Sequence, residues 1–143
     1  MAPVLGAARI TIVNRDPVRG GELVALLNDR TSTRAELVVW DGAYTLPEET
    51  DILVNATSIG LFPNVGAQLA LNLNSLRPGI VVADVIPNPP RTRLIRDAEA
   101  HGCTVLDGLG MLVNQGAIGI KHWTGVDPDR TVMRNTLETL FRR

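Results

Sequence analysis

Short runs of β-branched and aliphatic residues alternate along this chain with longer segments in which apolar positions recur every three or four residues. The short runs match the period of a strand and the longer segments the period of a helix. They predict strands at 9–13, 35–40, 51–55, 79–85 and 103–106, and helices at about 17–28, 91–101, 111–123 and 128–140. Strands that are apolar throughout and separated by helices are typical of a parallel sheet covered on both faces, so we expect an α/β fold.

Local signals support several of these boundaries. Asp16 and Pro17 are a helix N-cap and a first-turn proline. His101 precedes Gly102 at the predicted end of a helix, where a cationic side chain suits the helix dipole, so we interpret it as a capping residue. Cys103 lies in an apolar run without a second cysteine to pair with, and is expected to be a small core residue.

Polar, glycine-containing loops follow the predicted strands at 14–16, 55–60, 84–88 and 107–110. In open parallel sheets, ligands bind beyond the carboxyl ends of the strands. Taken singly, each loop reads as an ordinary loop whose side chains satisfy its own backbone. Four such ends in one short chain favour a ligand site.

The segment 107–123 is the centre of this expectation. Its helical stripe contains Met111, Leu112, Ile118 and His122, and Gln115 is an amide among them. One interpretation is a buried helix whose glutamine caps a neighbouring carbonyl. The other is a helix start that faces a ligand, and the spacing alone leaves both open.

Composition and charge exclude several classes of function. The chain has 143 residues, 45% of them hydrophobic, which is consistent with a single globular domain at 1–143. The net charge is −1 and the arginines are interspersed with acids, so nucleic acid is not an expected partner. We see no bilayer-length apolar run and no signal-peptide pattern, so we expect no membrane association and a cytoplasmic location. The chain has only one lysine and two histidines, so we expect neither a metal site nor a Ser-His-Asp catalytic site, and we assign no metal ligand.

The end of the first strand suggests a particular cofactor. Asn14 and Arg15 end it, and Arg19 follows in the first helical turn. Arginines at this place in a dinucleotide fold suit the 2′-phosphate of NADP, whereas an acid suits the free hydroxyl of NAD. Asp16 is an acid between these arginines, but as the N-cap its carboxylate is expected to accept hydrogen bonds from backbone N–H groups. The alternative is two solvated surface arginines.

These positions, in their order and spacing, resemble the cofactor domain of the shikimate dehydrogenase family, including its shikimate/quinate dehydrogenase-like branch. The resemblance runs from about Gly6 to the C-terminus. It is carried by Asn14, Arg15, Arg19, Asn55, Ala56, Thr57, Ser58, Gly60, Leu61, Asp84, Val85, Asn88, Pro89, Thr92, Leu94, Gly108, Leu109, Gly110, Met111, Leu112, Gln115, Gly116, Ala117, Trp123, Thr124 and Gly125.

The resemblance implies a Rossmann-like domain that binds NADP and interconverts shikimate, or a related hydroxy ring acid, with its ketone. It assigns the adenosine 2′-phosphate to Asn14, Arg15 and Arg19, and the nicotinamide-side ribose and phosphates to Ala56, Thr57 and Ser58. By the same resemblance, the nicotinamide lies near Val85, Gly108, Met111 and Leu112, with the Gly108 carbonyl taking its amide, and Gln115 reaches a substrate hydroxyl.

The chain departs from the family in four respects. It has no substrate domain with the family's catalytic lysine and aspartate, and Lys121 lies late in a helix where it cannot take that role. The first strand and the Gly-rich pyrophosphate loop are not found, and residues 4–8 look like the tail of the helix that should follow them. Pro87 stands where the best-known members have a tyrosine, which puts shikimate itself in doubt.

We therefore expect an incomplete dinucleotide-binding domain, truncated at its N-terminus, with no catalytic residue of its own. NADP binding should be weakened, because the pyrophosphate normally rests on the N–H groups of that missing helix start. The missing strand is central in the order 3-2-1-4-5-6, so two apolar edges should either close on each other or, as we favour, pair with a second copy. The alternative function is a non-catalytic, self-associating NADP-binding or structural module.

Overall fold

The computed structural model describes residues 6–141. Positions 4 and 5 of the expected helix tail lie outside that range, and residues 6–8 are not helical. The described elements, in chain order, are β1 (Arg9–Asn14), α1 (Pro17–Arg30), β2 (Arg34–Val39), β3 (Ile52–Asn55), a 3-10 turn (Leu73–Ser75), β4 (Val81–Asp84), α2 (Arg93–Ala100), β5 (Thr104–Leu106), α3 (Gly108–Thr124) and α4 (Arg130–Phe141). The predicted strands and helices are confirmed. The 3-10 turn was not foreseen.

The described residues fall into two compact units, the first ending at Tyr44 and the second beginning at Thr45. All strand pairs are parallel: β1 pairs with β2 in the first unit, and β4 lies between β3 and β5 in the second. No ladder among the described strands joins β1 to β3. The two expected ways of filling the gap, direct closure and pairing with a second copy, stay predictions.

In the first unit, α1 is held against β2 by close packing and by a pair of side-chain hydrogen bonds. A β-carbon at Gly20 of α1 would lie 2.5 Å from Leu37 Cδ1, so the helix comes near β2 because a glycine stands there. Asn28 donates to the Ala35 carbonyl at 3.0 Å and accepts from the Ala35 N–H at 2.8 Å. The same amide thus fixes the end of α1 to the start of β2.

The core of the second unit lies on one face of its sheet. Val82 of β4 is fully buried, and α2 packs on β4 and β5 with the expected inner face of Leu94, Ile95 and Ala98. His101 is the C-cap of α2, as predicted, and its Nδ1 lies 2.8 Å from the Asp97 carbonyl oxygen. Cys103 is buried, also as predicted.

The other face of this sheet is open. Side chains alternate along a strand, so Ile52 and Val54 of β3 point to the face opposite Val82, together with their register partners on β4 and β5. Ile52, Val54 and Leu106 are 62%, 54% and 56% exposed. The expected cover on both faces is thus incomplete for β3 and β5.

None of the described helices combines the length and the apolarity needed to cross a bilayer.

Candidate functional site

The carboxyl end of β1 leads directly into the first turn of α1. Asp16 caps the helix and accepts from the N–H groups of Val18 and Arg19 at 3.0 and 3.1 Å, and the Asn14 side chain accepts from the Asp16 N–H at 2.9 Å. The expectation that the Asp16 carboxylate is occupied is therefore confirmed. Its second oxygen lies 3.5 Å from Arg19 Nε.

This geometry separates the two arginines. Arg19 shares its charge with the cap, whereas Arg15 is exposed beside the N-terminus of α1. A helix N-terminus carries partial positive charge and attracts anions. Of these two exposed arginines, Arg19 is the one that lies near a carboxylate.

A buried polar network joins the carboxyl ends of β3 and β4. Asp84, only 3% exposed, accepts from the Ile86 N–H at 3.0 Å, from Asn55 Nδ2 at 3.2 Å and from the Thr92 hydroxyl at 2.7 Å. Thr92 is in turn the N-cap of α2. Sequence reasoning included Asn55, Asp84 and Thr92 in the family pattern but gave them no role. The available signal was a polar residue ending each of two apolar strands.

The network also determines what Thr57 can do. Its hydroxyl donates to Asn55 Oδ1 at 2.7 Å and accepts from the Ile59 N–H at 3.1 Å. Its one hydroxyl proton is therefore used inside the loop. Ala56 and Ser58 on either side are exposed, so Thr57 shapes the loop while its neighbours present the surface.

Gly108 and Val85 lie together, as the resemblance implies. A β-carbon at Gly108 would lie 2.4 Å from the carbonyl carbon of Ile86 and 2.6 Å from that of Val85. Only glycine lets the start of α3 come this close to the segment that follows β4. The ends of β4 and β5 are thereby brought to one place in the second unit.

The two interpretations of α3 can now be separated. Its buried side consists of Leu109, Val113 and Ala117, while Met111 and Gln115 are exposed. The buried-helix interpretation, with Gln115 capping a carbonyl in the core, is therefore wrong. Leu112 is intermediate. The first turns of α3 present an apolar and an amide side chain outward, as a helix start that faces a ligand would.

An ion pair that the sequence did not reveal anchors the start of α3. Asp107 is its N-cap and accepts from the Gly110 N–H at 2.8 Å, and Arg134 of α4 donates to the same carboxylate. Burial raises the pKa of Asp107, but the hydrogen bonds from Arg134 and Gly110 and the Arg134 charge outweigh it, so the pKa lies below its ordinary value. A cavity of about 370 Å³ beside this pair is lined by Pro89, Pro90, Arg91, Asp107, Arg134, Glu138 and Phe141.

Two further expectations concern charged residues. Lys121 lies 2.7 Å from Asp127 in an exposed ion pair late in α3, and its exclusion as a catalytic lysine stays a prediction. Among residues 6–141, no group of three or more histidine, cysteine or acidic side chains could hold a metal ion.

The structure thus places Asn14, Arg15 and Arg19 together in the first unit. In the second unit, the Asp84 network links the loop that carries Ala56, Thr57 and Ser58 to the segment that carries Val85, and Gly108 contacts that segment. Met111, Leu112 and Gln115 follow Gly108 on α3. The assignment of these residues to parts of NADP stays a prediction.

Comparison with known proteins identifies the relationship. The family model of the shikimate 5′-dehydrogenase C-terminal domain matches residues 108–138. The NADP(+) shikimate dehydrogenase of Geobacillus kaustophilus is 39% identical over 137 residues, which are 96% of this chain and 48% of that protein.

The chain is a relative of the C-terminal half of shikimate dehydrogenases. It spans about half the length of the curated relatives it matches. A solved shikimate dehydrogenase in complex with NADP+ is 32% identical, with a TM-score of 0.76 over 94% of this chain and 47% of that one. The α/β, Rossmann-like fold and the family resemblance are confirmed.

Another solved structure is more similar still. The ligand-free 5-ketofructose reductase of Gluconobacter sp. strain CHM43 is 55% identical, with a TM-score of 0.88, and the match covers 95% of this chain and 49% of that one.

Proposed function

We propose that this chain is the NADP-binding half of an oxidoreductase that interconverts a secondary hydroxyl group and a ketone in a small polyhydroxylated compound, with the hydride moving between that carbon and the nicotinamide. The observation that carries the proposal is the contact of Gly108 with the backbone of Val85 and Ile86, which brings two parallel strand ends together. Ligands bind at such ends in open α/β sheets. The NADP(+) dependence named for the curated relatives supports the cofactor.

The roles are those that the family resemblance implies. Arg15, with Arg19 and Asn14, pairs with the adenosine 2′-phosphate, because guanidinium groups form charge-assisted hydrogen bonds with phosphate oxygens. The loop 56–58 lies along the nicotinamide-side ribose and phosphates. The nicotinamide lies in an apolar environment that excludes water, as hydride transfer requires, formed by Val85, Gly108, Met111 and Leu112. Gln115 orients a substrate hydroxyl group.

The substrate class has support from two sides. The sequence departs from the family at Pro87, near the expected substrate. The 5-ketofructose reductase is 55% identical to this chain, whereas the NADP+-bound shikimate dehydrogenase is 32% identical. A ketone next to a carbon that bears a hydroxyl group is common to a ketosugar and to a dehydrogenated ring acid. We favour the ketosugar over shikimate.

A titration of the purified chain with NADPH and with NADH, followed by nicotinamide fluorescence, tests the cofactor. We expect saturable binding with preference for NADPH. Failure to bind either nucleotide would contradict the proposal.

A second assay tests whether the catalytic residues lie outside this chain. We expect the 143-residue chain alone to turn over neither shikimate, quinate nor 5-ketofructose. A chimera that joins it to the N-terminal half of the Gluconobacter reductase should reduce 5-ketofructose with NADPH. Turnover by the chain alone would contradict the assignment of catalysis to residues outside it.

The second candidate function is a self-associating module. Ile52 and Val54 line an edge strand of the three-stranded sheet and are more than half exposed. Exposed apolar edge strands pair readily with other chains. A homodimer formed through β3 is therefore the assembly we propose, and light scattering over a wide range of concentrations tests it. A monomer throughout would count against the dimer.

A further inference from the structure

Asp84 is a buried carboxylate whose described hydrogen bonds all come from neutral groups. Its Oδ1 accepts from Asn55 and from the Ile86 N–H, and its Oδ2 accepts from the Thr92 hydroxyl. Burying a charge is costly unless it is well hydrogen-bonded. The carboxylate at this buried position therefore calls for an explanation.

The bonds around Asp84 connect three separate segments of the second unit. Through Asn55, which holds the Thr57 N–H and hydroxyl at 3.0 and 2.7 Å, Asp84 fixes the loop after β3. Through the Ile86 N–H it closes a turn around Val85. Through Thr92, whose hydroxyl also accepts from the Ile95 N–H at 3.3 Å, it fixes the start of α2.

We infer that Asp84 is a positioning residue for the nicotinamide end of the bound nucleotide, acting on the loop 56–58 through Asn55 and on Val85 through the Ile86 N–H. The inference rests on the proposed function. Asp84 does not touch the nucleotide, since its side chain is 3% exposed.

The reason for a carboxylate lies in the number of acceptors required. Asn55, Ile86 and Thr92 each present a donor to the same side chain, and a carboxylate can accept at both oxygens. Since Val85 lies between Asp84 and Ile86, a displacement of this turn would also move the backbone against which Gly108 rests. One side chain thereby sets the relative position of the loop residues, Val85 and the start of α3.

This role has a signature that a general effect on folding lacks. The residues assigned to the adenosine 2′-phosphate belong to the first unit, whereas every hydrogen bond of Asp84 described above lies in the second. The fragment 2′,5′-ADP carries the adenosine end without the nicotinamide. Loss of Asp84 should therefore weaken NADPH and spare 2′,5′-ADP.

The test compares Asp84→Ala, Asp84→Asn and wild-type chain, with Asp97→Ala as the matched control. Asp97 is an aspartate of α2 that pairs with Arg93 near the surface. Asp84→Ala strands three donors, so NADPH binding should weaken about tenfold or more. Asp84→Asn keeps an oxygen where Asn55 and Ile86 donate but loses the acceptor for Thr92, so its NADPH affinity should lie between those of Asp84→Ala and wild type. Affinity for 2′,5′-ADP should be unchanged in all four proteins.

A second pair keeps the test decisive if Asp84→Ala does not fold. Thr92→Val removes the donor to Oδ2, and Thr92→Ser retains it. NADPH binding should weaken in the valine variant and be restored in the serine variant.

Three results overturn the inference. The first is an NADPH affinity that is equal in Asp84→Ala and wild type. The second is a proportional loss of affinity for NADPH and for 2′,5′-ADP, which would mean that Asp84 acts on folding alone. In both cases the proposed function stands, because wild type binds NADPH. If wild type binds no NADPH, the inference and the proposed function fall together.

Discussion

Gly108 begins α3 so close to Ile86 that a β-carbon at position 108 would lie 2.4 Å from the Ile86 carbonyl carbon. The neighbour is backbone, which cannot move aside as the end of a long side chain can. The closeness of these two residues defines how the ends of β4 and β5 meet.

Replacing Gly108 by alanine should therefore destabilise the second unit. We expect the free energy of unfolding to fall by about 1–3 kcal/mol, the usual range for overpacking a tight site. The measurement is urea unfolding followed by circular dichroism. Gly119→Ala on the same helix is the control: its β-carbon would lie 3.6 Å from the Trp123 ring, an ordinary contact. That variant should gain up to about 1 kcal/mol from helix propensity, and an equal loss in both variants would contradict the account.

Arg15 should contribute more than Arg19 to the preference for NADP over NAD. Arg15 is exposed at the end of β1, whereas Arg19 shares its charge with Asp16. Hydrogen bonds to charged groups contribute about 1.5–3 kcal/mol each, so Arg15→Ala should weaken NADP binding roughly tenfold to a hundredfold.

Calorimetric titration with NADP+ and NAD+ measures both affinities. The NAD+ affinity should change little in Arg15→Ala, because NAD+ lacks the 2′-phosphate. Arg30→Ala, at the far end of the same helix and paired with Asp29, controls for the loss of a positive charge. The assignment fails if Arg30→Ala weakens NADP+ binding as much as Arg15→Ala does.

The ion pair between Asp107 and Arg134 should make the stability of the second unit depend on pH. Burial raises the pKa of Asp107, but the hydrogen bonds of Arg134 and Gly110 and the Arg134 charge bring it below the ordinary 3.8. A carboxyl whose folded pKa is depressed stabilises the fold above its unfolded pKa, and loses that contribution as pH falls through the folded pKa. The stabilisation is therefore complete near neutral pH and disappears in acid, below about pH 4.

Arg134→Met removes the partner and tests this dependence. Because the pair is partly exposed, its contribution near neutral pH should be no more than about 1 kcal/mol. The difference in unfolding free energy between wild type and Arg134→Met should shrink as pH falls from 6 to 3. Arg96→Met, an exposed arginine on α2, should show no such convergence, and a difference that stays constant with pH would show that Asp107 is not the group concerned.

Self-association through β3 should be abolished by charge on its exposed face. Ile52 and Val54 are 62% and 54% exposed, and charged side chains on edge strands oppose pairing. We expect the double variant Ile52→Lys, Val54→Lys to remain monomeric by multi-angle light scattering at concentrations where wild type is dimeric. Val18→Lys, at a 67% exposed position on α1, should leave the dimer intact. Persistence of the dimer in the β3 variant would place the interface elsewhere.

The sequence predicted the elements because strand and helix periods here are strong and local. Asp16 and Pro17 marked the start of α1. The ligand site expected from the polar residue at each strand end stays a prediction. What it could not predict depends on distant residues. Nothing in the local pattern pairs Asp107 with Arg134, 27 positions apart, or aims Asp84 at Asn55 and Thr92.

Gln115 illustrates the same limit. Its helical spacing with Met111 and Ile118 suits a buried stripe and a ligand-facing stripe equally, because periodicity fixes which residues share a face but not what that face meets. The structure places Leu109, Val113 and Ala117 inward instead. The division of the strands into two sheets was likewise invisible to local patterns.

Chemical-shift mapping of NADP+ on the isotopically labelled chain shows whether these strand ends form one nucleotide site. The account predicts that the amide signals of Arg15, Ser58 and Gly108 shift in a saturable way with a common dissociation constant, while those of Lys121 and Asp127, late in or beyond α3, stay in place. Saturable shifts confined to other residues, or none at any NADP+ concentration, would contradict the claim that these strand ends bind a nicotinamide nucleotide.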